Sequence, residues 1–418
     1  MSTLILEGKF INHDGEFEGR VEINRETGLI EHVSRAQGPS KSEIDTAGCF
    51  IFPGFGDIHV HAREDAGGTQ SYKETFRTAS EAAIRGGVTF FAEMPNNPMA
   101  PITDERYREK EKIAGRSLVP VILYGGIGPK TKPLSFPVPY KVFMGPSVGD
   151  LFFTSQEELT ASLAHYRGQN ISFHCEDPVA LKAHEHESTH ELRRPPETEV
   201  IAVDFALTLI QKYELKGKIC HASTLSAVRK IIEAKQRGVP VTCEIAPHHL
   251  YFDAASVSDE KRRWLQVNPA LRTNPADRKA LIELLRTGGI DFLATDHAPH
   301  TREEKMKGTS GMPHLDTYGP FTTWLMREHG FAPCDIARIS AFNPGNFVNP
   351  YLPKKYGNGF GVIKEGYYGS FTVIDPDRPM TVRREDLKTK CGWSPFEGIT
   401  FPGSVIHSIV GGKVYNNF

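Results

Sequence analysis

No apolar run in this 418-residue chain approaches the ~20 residues that span a bilayer. There is no CxxC pair; Cys49, Cys175, Cys220, Cys243, Cys334 and Cys391 are scattered singly. That spacing excludes a dense disulfide framework and fits reduced thiols. Neither sign of charge dominates, since 49 Lys and Arg face 51 Asp and Glu for a net −2. A basic footprint for nucleic acid is therefore missing. The N-terminal MSTLILEGKF lacks the basic region and apolar core of a secretory signal. No low-complexity linker interrupts the middle of the chain. These absences predict a soluble cytoplasmic protein without a nucleic-acid or membrane partner.

Histidine is plentiful instead: there are 17, more than structural duty usually needs. The stretch Pro53 to Glu64, PGFGDIHVHARE, organises the rest. A short apolar run bounded by Pro-Gly reads as a buried strand. Residues two apart on a strand share a face. His59 and His61 then project together, as does Arg63 if the extended run continues. Paired imidazoles chelate a borderline cation such as zinc, and Asp57 has the parity to orient one of them.

Residues 3 to 51 alternate apolar and polar side chains in short runs (TLILEGKFI, GRVEINRE, GLIEHVSR) broken by Asp-Gly, Thr-Gly and Gly-Pro. The far end (YYGSFTVIDP, MTVRRE, GSVIHSIVGGKVYNN) has the same texture. The reading is a small β-sandwich domain built from both termini, 1–52 with 353–418. Between them, eight strand candidates alternate with helical stretches such as TLSAVRKIIEAKQRG and DRKALIELLRTGG, each ending in Gly. That alternation predicts an α/β fold over 53–352, a (β/α)8 barrel of TIM type. The long segment 248–274 is a candidate active-site loop.

Active sites of such barrels lie at the C-terminal ends of the strands. Strand one ends in His59-Val60-His61, strand four carries Lys141, strand five His174, strand six His221 and strand eight Asp296. Five strand ends thus offer ligand-type residues at one mouth. A salt-bridged Lys141 is one reading. The sharper one is an amine held neutral that captures carbon dioxide as a carbamate and bridges two cations. His59, His61, Lys141 and Asp296 would hold one, and the carbamate, His174 and His221 the other. Water between two cations ~3.5–4 Å apart ionises near neutral pH. The charge sum, with Arg63 nearby, favours an anionic substrate.

The motifs HVHARE, EMPNNPMAP, YKVFMG, SFHCED, ICHAS, TCEIAPHHL, VNPALR, ATDHAPHT and WSPFEG then carry a resemblance. Over nearly its whole length the chain resembles the dihydroorotases of the amidohydrolase superfamily. The resemblance implies one or two zinc ions per barrel and interconversion of dihydroorotate and N-carbamoyl-aspartate in pyrimidine synthesis. It implies metal ligands at His59, His61, Lys141, His174, His221 and Asp296, with Asp296 as general acid/base. It further implies substrate contacts from Arg63, Asn96, Asn268 and His300. Arg63 has the planar fork that binds a carboxylate bidentately. A small-molecule substrate is implied, with room for a homodimer and for association with aspartate transcarbamoylase.

Departures from the usual pattern stand at Ala62, Asp65, Ala66 and His314. His248 and His249 read as supporting residues, and Arg194 and Glu199 as props for strand five. Two alternatives remain: an allantoinase or hydantoinase, against which Arg63 argues, and an assembly subunit for aspartate transcarbamoylase, against which the full ligand set argues.

Overall fold

The computed structural model describes residues 3–35, 42–146 and 151–417; the Gly38-Pro39 break lies outside them. Both termini build one seven-stranded sheet. Its order is Lys413–Asn416, Ser404–Val410, Phe371–Asp375, Phe50–Pro53, Thr3–Asn12, Gly15–Asn24 and Ile30–Ser34. Phe50–Pro53 pairs parallel with Thr3–Asn12 and antiparallel with Phe371–Asp375, so neither terminus completes the sheet alone. Period-2 alternation puts Leu4, Leu6, Val21, Ile23, Ile51, Phe371 and Val373 into one fully buried cluster.

Gly54 hands the chain from this sheet to the barrel. A Cβ there would lie 2.1 Å from Thr89 Oγ1, so only glycine lets the two layers approach. The barrel strands are Phe55–Val60, Val88–Glu93, a third in two halves (Val121–Leu123 and Gly125–Ile127), Tyr140–Phe143, Asn170–His174, Lys216–Ile219, Val241–Ile245 and Phe292–Leu293. All neighbours pair in parallel. The third strand bends at Tyr124, pairing with strand two by its first half and with strand four by its second. The ring closes through a parallel bridge between Val60 and His297. This is the (β/α)8 barrel that the alternation predicts.

Strand eight is shorter than the run IDFLATDHAP suggests. The Asp57 carboxylate takes the Thr295 amide and hydroxyl, so the backbone there bonds a side chain instead of a ladder. Helices begin where short hydroxyl or amide side chains cap them: Thr75 for Phe76–Arg85, Thr224 for Leu225–Gln236 and Asn274 for Pro275–Arg286. The cap at Thr75 starts that helix after Lys73 and Glu74, which turn into the wall of the barrel mouth. Pro196–Lys212, a 17-residue helix, is one the periodicity reading passed over. Segment 248–274 is mostly irregular apart from short helices, and it delivers Asn268 to the mouth. Among the described residues no helix is long and apolar enough to cross a membrane.

Candidate metal centre and substrate cleft

Strand order carries the six expected ligand positions to one end of the barrel. His59 and His61 each place Nε2 3.2 Å from Asp296 Oδ1. Their strand is irregular, with a register shift between Asp57 and Val60, yet both rings reach the same oxygen. His221 lies 5.2 Å from His59, centroid to centroid, and its Nε2 faces His174 Nδ1 at 2.9 Å. The four imidazoles form a continuous row. Burial first, then neighbouring cations with Lys141 among them, drives His59, His61 and His221 well below the usual histidine range. His174 is lowered too, by burial and Lys141 against the opposing pull of Glu176. All four shifts favour the neutral imidazole, the form that coordinates metal. Burial pushes Asp296 up to about 7 against the pull of Lys141.

Three rings are fixed by their other nitrogen. Glu244 holds His59 Nδ1, Asn96 Oδ1 holds His61 Nδ1 at 2.6 Å, and Glu176 Oε2 holds His174 Nε2 at 3.0 Å. An imidazole anchored at one nitrogen with the other aimed at a shared centre is the arrangement of a metal ligand. His221 Nδ1 is buried with no hydrogen-bond partner among the described residues. His59, His61 and Asp296 bring three ligand atoms within coordination reach of one another. This donor set of imidazole nitrogens and a carboxylate fits a borderline divalent cation.

Lys141 is fully buried beside them, with Nζ 2.7 Å from the Cys220 thiol. Cys220, His59 and Glu244 form a second cluster of ligand-type atoms. Glu244 was not foreseen in the sequence reading. It accepts from His59, the His221 amide and Lys218, tying strands one, six and seven. Its signal was a carboxylate inside the apolar strand VTCEI, with Lys218 on the strand beside it. Asp57, expected to orient a ring, instead accepts the His59 backbone amide at 3.1 Å.

The extended run does not continue to Arg63. The strand stops at Val60, and Arg63 sits in the left-handed region at φ 61°, as do His221 (32°) and Asp296 (49°). Three non-glycine residues so placed at one mouth mark backbone strain held for function. Arg63 Nε donates to Pro299 O at 3.3 Å and Nη2 to His300 Nε2 at 3.2 Å, and the guanidinium lines the cleft. Asn96 and Asn268 line it as well. Asn268 Oδ1 is buried with no partner among the described residues, an acceptor suited to a ring N–H. His300 lies behind Arg63: its Nδ1 is 3.3 Å from Lys73 Nζ and 3.4 Å from Glu304 Oε2.

The departures have local partners. Asp65 accepts from Gly68 and Met99, organising the loop after strand one. His314 is buried, 3.0 Å from His248, and its amide donates to His297. His249 Nε2 bonds Pro269 O. Arg194 pairs with Glu176 behind His174, while Glu199 accepts from Ser223, Thr224 and Arg272. His248, His249, Arg194 and Glu199 thus bond other protein groups around the cleft.

Imidazoles, a lysine and an aspartate at the strand ends of such a barrel define the class, an amidohydrolase. Residues 50–121 match the amidohydrolase family model. The chain is 31% identical to a dihydroorotase of Pyrococcus furiosus over 98% of its length and 92% of that protein. It is 33% identical to one of Thermococcus kodakarensis (99% and 94%) and 31% to one of Staphylococcus aureus (98% and 98%). Among solved structures, an L-hydantoinase (dihydropyrimidinase) of Arthrobacter aurescens superposes with a TM-score of 0.88 at 24% identity, covering 99% of this chain and 96% of that one. A dihydropyrimidinase of Brevibacillus agri gives 0.85 at 20%, covering 99% and 95%. The chain belongs to the dihydroorotase family of cyclic amidohydrolases.

Proposed function

We propose that this protein interconverts N-carbamoyl-L-aspartate and L-dihydroorotate in pyrimidine synthesis. The observation that carries the reading is the arginine fork of Arg63 on the same cleft as the His59–His61–Asp296 donor set. A hydantoin or dihydrouracil ring has no carboxylate to engage that fork. Zinc is the proposed ion, two per barrel, held by His59, His61, His174, His221, Asp296 and a carbamylated Lys141. Bound there, it would polarise the ring carbonyl and lower the pKa of water.

The chain's own groups do the rest. Arg63 holds the substrate carboxylate, while His300, expected beside it, sits behind the guanidinium and steadies it, and Asn268 Oδ1 accepts a ring N–H. Asn96 steadies His61 and faces the ring edge. Asp296, through the carboxylate oxygen not shared by the histidines, takes the proton of the attacking water and returns it to the departing amide nitrogen. Burial leaves its carboxyl easily protonated, which suits that exchange. The reading includes a cytoplasmic protein with its barrel over 53–352 and its β-unit over 1–52 and 353–418. Sedimentation of the protein alone and with aspartate transcarbamoylase tests for a homodimer and for that complex.

Arg63→Met tests the substrate. A charge-assisted bidentate pair is worth about 1.5–3 kcal/mol, so kcat/KM for dihydroorotate should fall roughly 10- to 100-fold. Turnover of dihydrouracil should barely change. Equal losses would place the carboxylate elsewhere. Lys141→Ala tests the carbamate: activity and one metal should be lost, with partial rescue by short carboxylic acids. Full metal occupancy in that variant would remove the bridge.

A further inference from the structure

Lys305 is fully buried, and the chemistry above gives it no task. It lies on the short helix Arg302–Met306, just beyond the Asp296–His300 stretch. Its surroundings are apolar: Leu265, Val267, Leu271, Met312 and Trp393 form one buried cluster, and the Trp393 ring centre is 5.7 Å from Nζ. Burial draws the ammonium down to about 7, a measure of how poorly this setting suits a charge. Nζ nonetheless finds three carbonyls, Gln266 O at 3.0 Å, Thr309 O at 2.8 Å and Gly311 O at 2.9 Å. An ammonium has three donors and no acceptor, so its hydrogen-bonding capacity is filled.

Those carbonyls belong to two separate loops. One leads from Gln266 into Asn268, and the other runs Thr309-Ser310-Gly311; Asn268, Ser310 and Gly311 all line the cleft. A backbone bond from Gly311 N to Gln266 O (2.9 Å) runs beside the lysine. We propose that Lys305 is a positioning residue, clamping these loops into the cleft wall that receives the substrate ring opposite Arg63. The clamp sets how tightly the ring is held, and the reacting groups on the barrel strands do not depend on it. This rests on the dihydroorotase reading for the identity of the ring, but the clamp itself is a property of the loops.

Lys305→Met keeps the aliphatic stem in its apolar surroundings and removes all three donors. The expected result is a rise in KM for dihydroorotate of about tenfold or more, with kcat within about threefold and metal content unchanged. Amide hydrogen exchange should quicken in 266–271 and 309–313 and stay unchanged at 59–61. Lys305→Gln, with two donors left, should fall between wild type and Lys305→Met, and it serves if the methionine variant folds poorly. Unchanged KM, a loss confined to kcat, or unchanged exchange in either loop overturns the proposal. The exchange measurement needs no substrate, so a wild-type protein inert toward dihydroorotate would defeat the functional reading while the loops still decide the clamp.

Discussion

Asp296 sits where two demands meet. It shares Oδ1 with His59 and His61, and its own carboxyl is displaced upward by burial. Asn in its place keeps an oxygen for the histidine side and loses the proton acceptor. Asp296→Asn should therefore retain metal while kcat drops by roughly 10²–10⁴; near-wild-type turnover would remove the proton-transfer role. The expected ligand positions come together because strand ends in a parallel barrel converge whatever their separation along the chain. The residues behind them were not legible. Glu244 and Lys73 each act on a partner from a distant part of the chain, and a lone buried carboxylate in a strand does not announce which histidine it faces. Asn96 shows the same limit: the motif suggested substrate contact, and its carbonyl is turned to His61.

Among the elements, the segment after the last helices does unexpected work. Lys388 and Thr389 amides donate to Asp316 (2.6 and 3.2 Å), and Thr389 Oγ1 donates to Glu74 (2.5 Å). Trp393 Nε1 donates to the His300 carbonyl at 2.7 Å, so the motif WSPFEG braces the wall that holds His300. Trp393→Phe preserves most of the packing and removes that one donor. It should raise KM for dihydroorotate several-fold and cost about 1–2 kcal/mol of stability, read by substrate titration and denaturant unfolding. An unchanged KM would confine Trp393 to packing. Helix ends were readable from the glycines just past them, Gly86, Gly238 and Gly288, but the end of strand one was not: HVHARE looks extended through Arg63, while the backbone turns left-handed there.

At the scale of the whole molecule, two ends of one chain complete a single sheet, and Gly54 passes that sheet directly into the first barrel strand. The strand bearing His59 is thus continuous with the terminal layer, which fixes one side of the metal centre to a rigid support. The terminal texture and the eight-fold alternation made this architecture legible, because hairpin and barrel periodicities differ. The bend at Tyr124 was not, since the apolar run there is unbroken. The central claim is a metal-dependent ring hydrolysis selected by a carboxylate. Its most direct test is hydrolysis of dihydroorotate beside hydantoin, dihydrouracil and allantoin, with metal content read on the same sample. The account predicts bound zinc and a clear preference for dihydroorotate; preference for an uncharged ring, or turnover without metal, would contradict it.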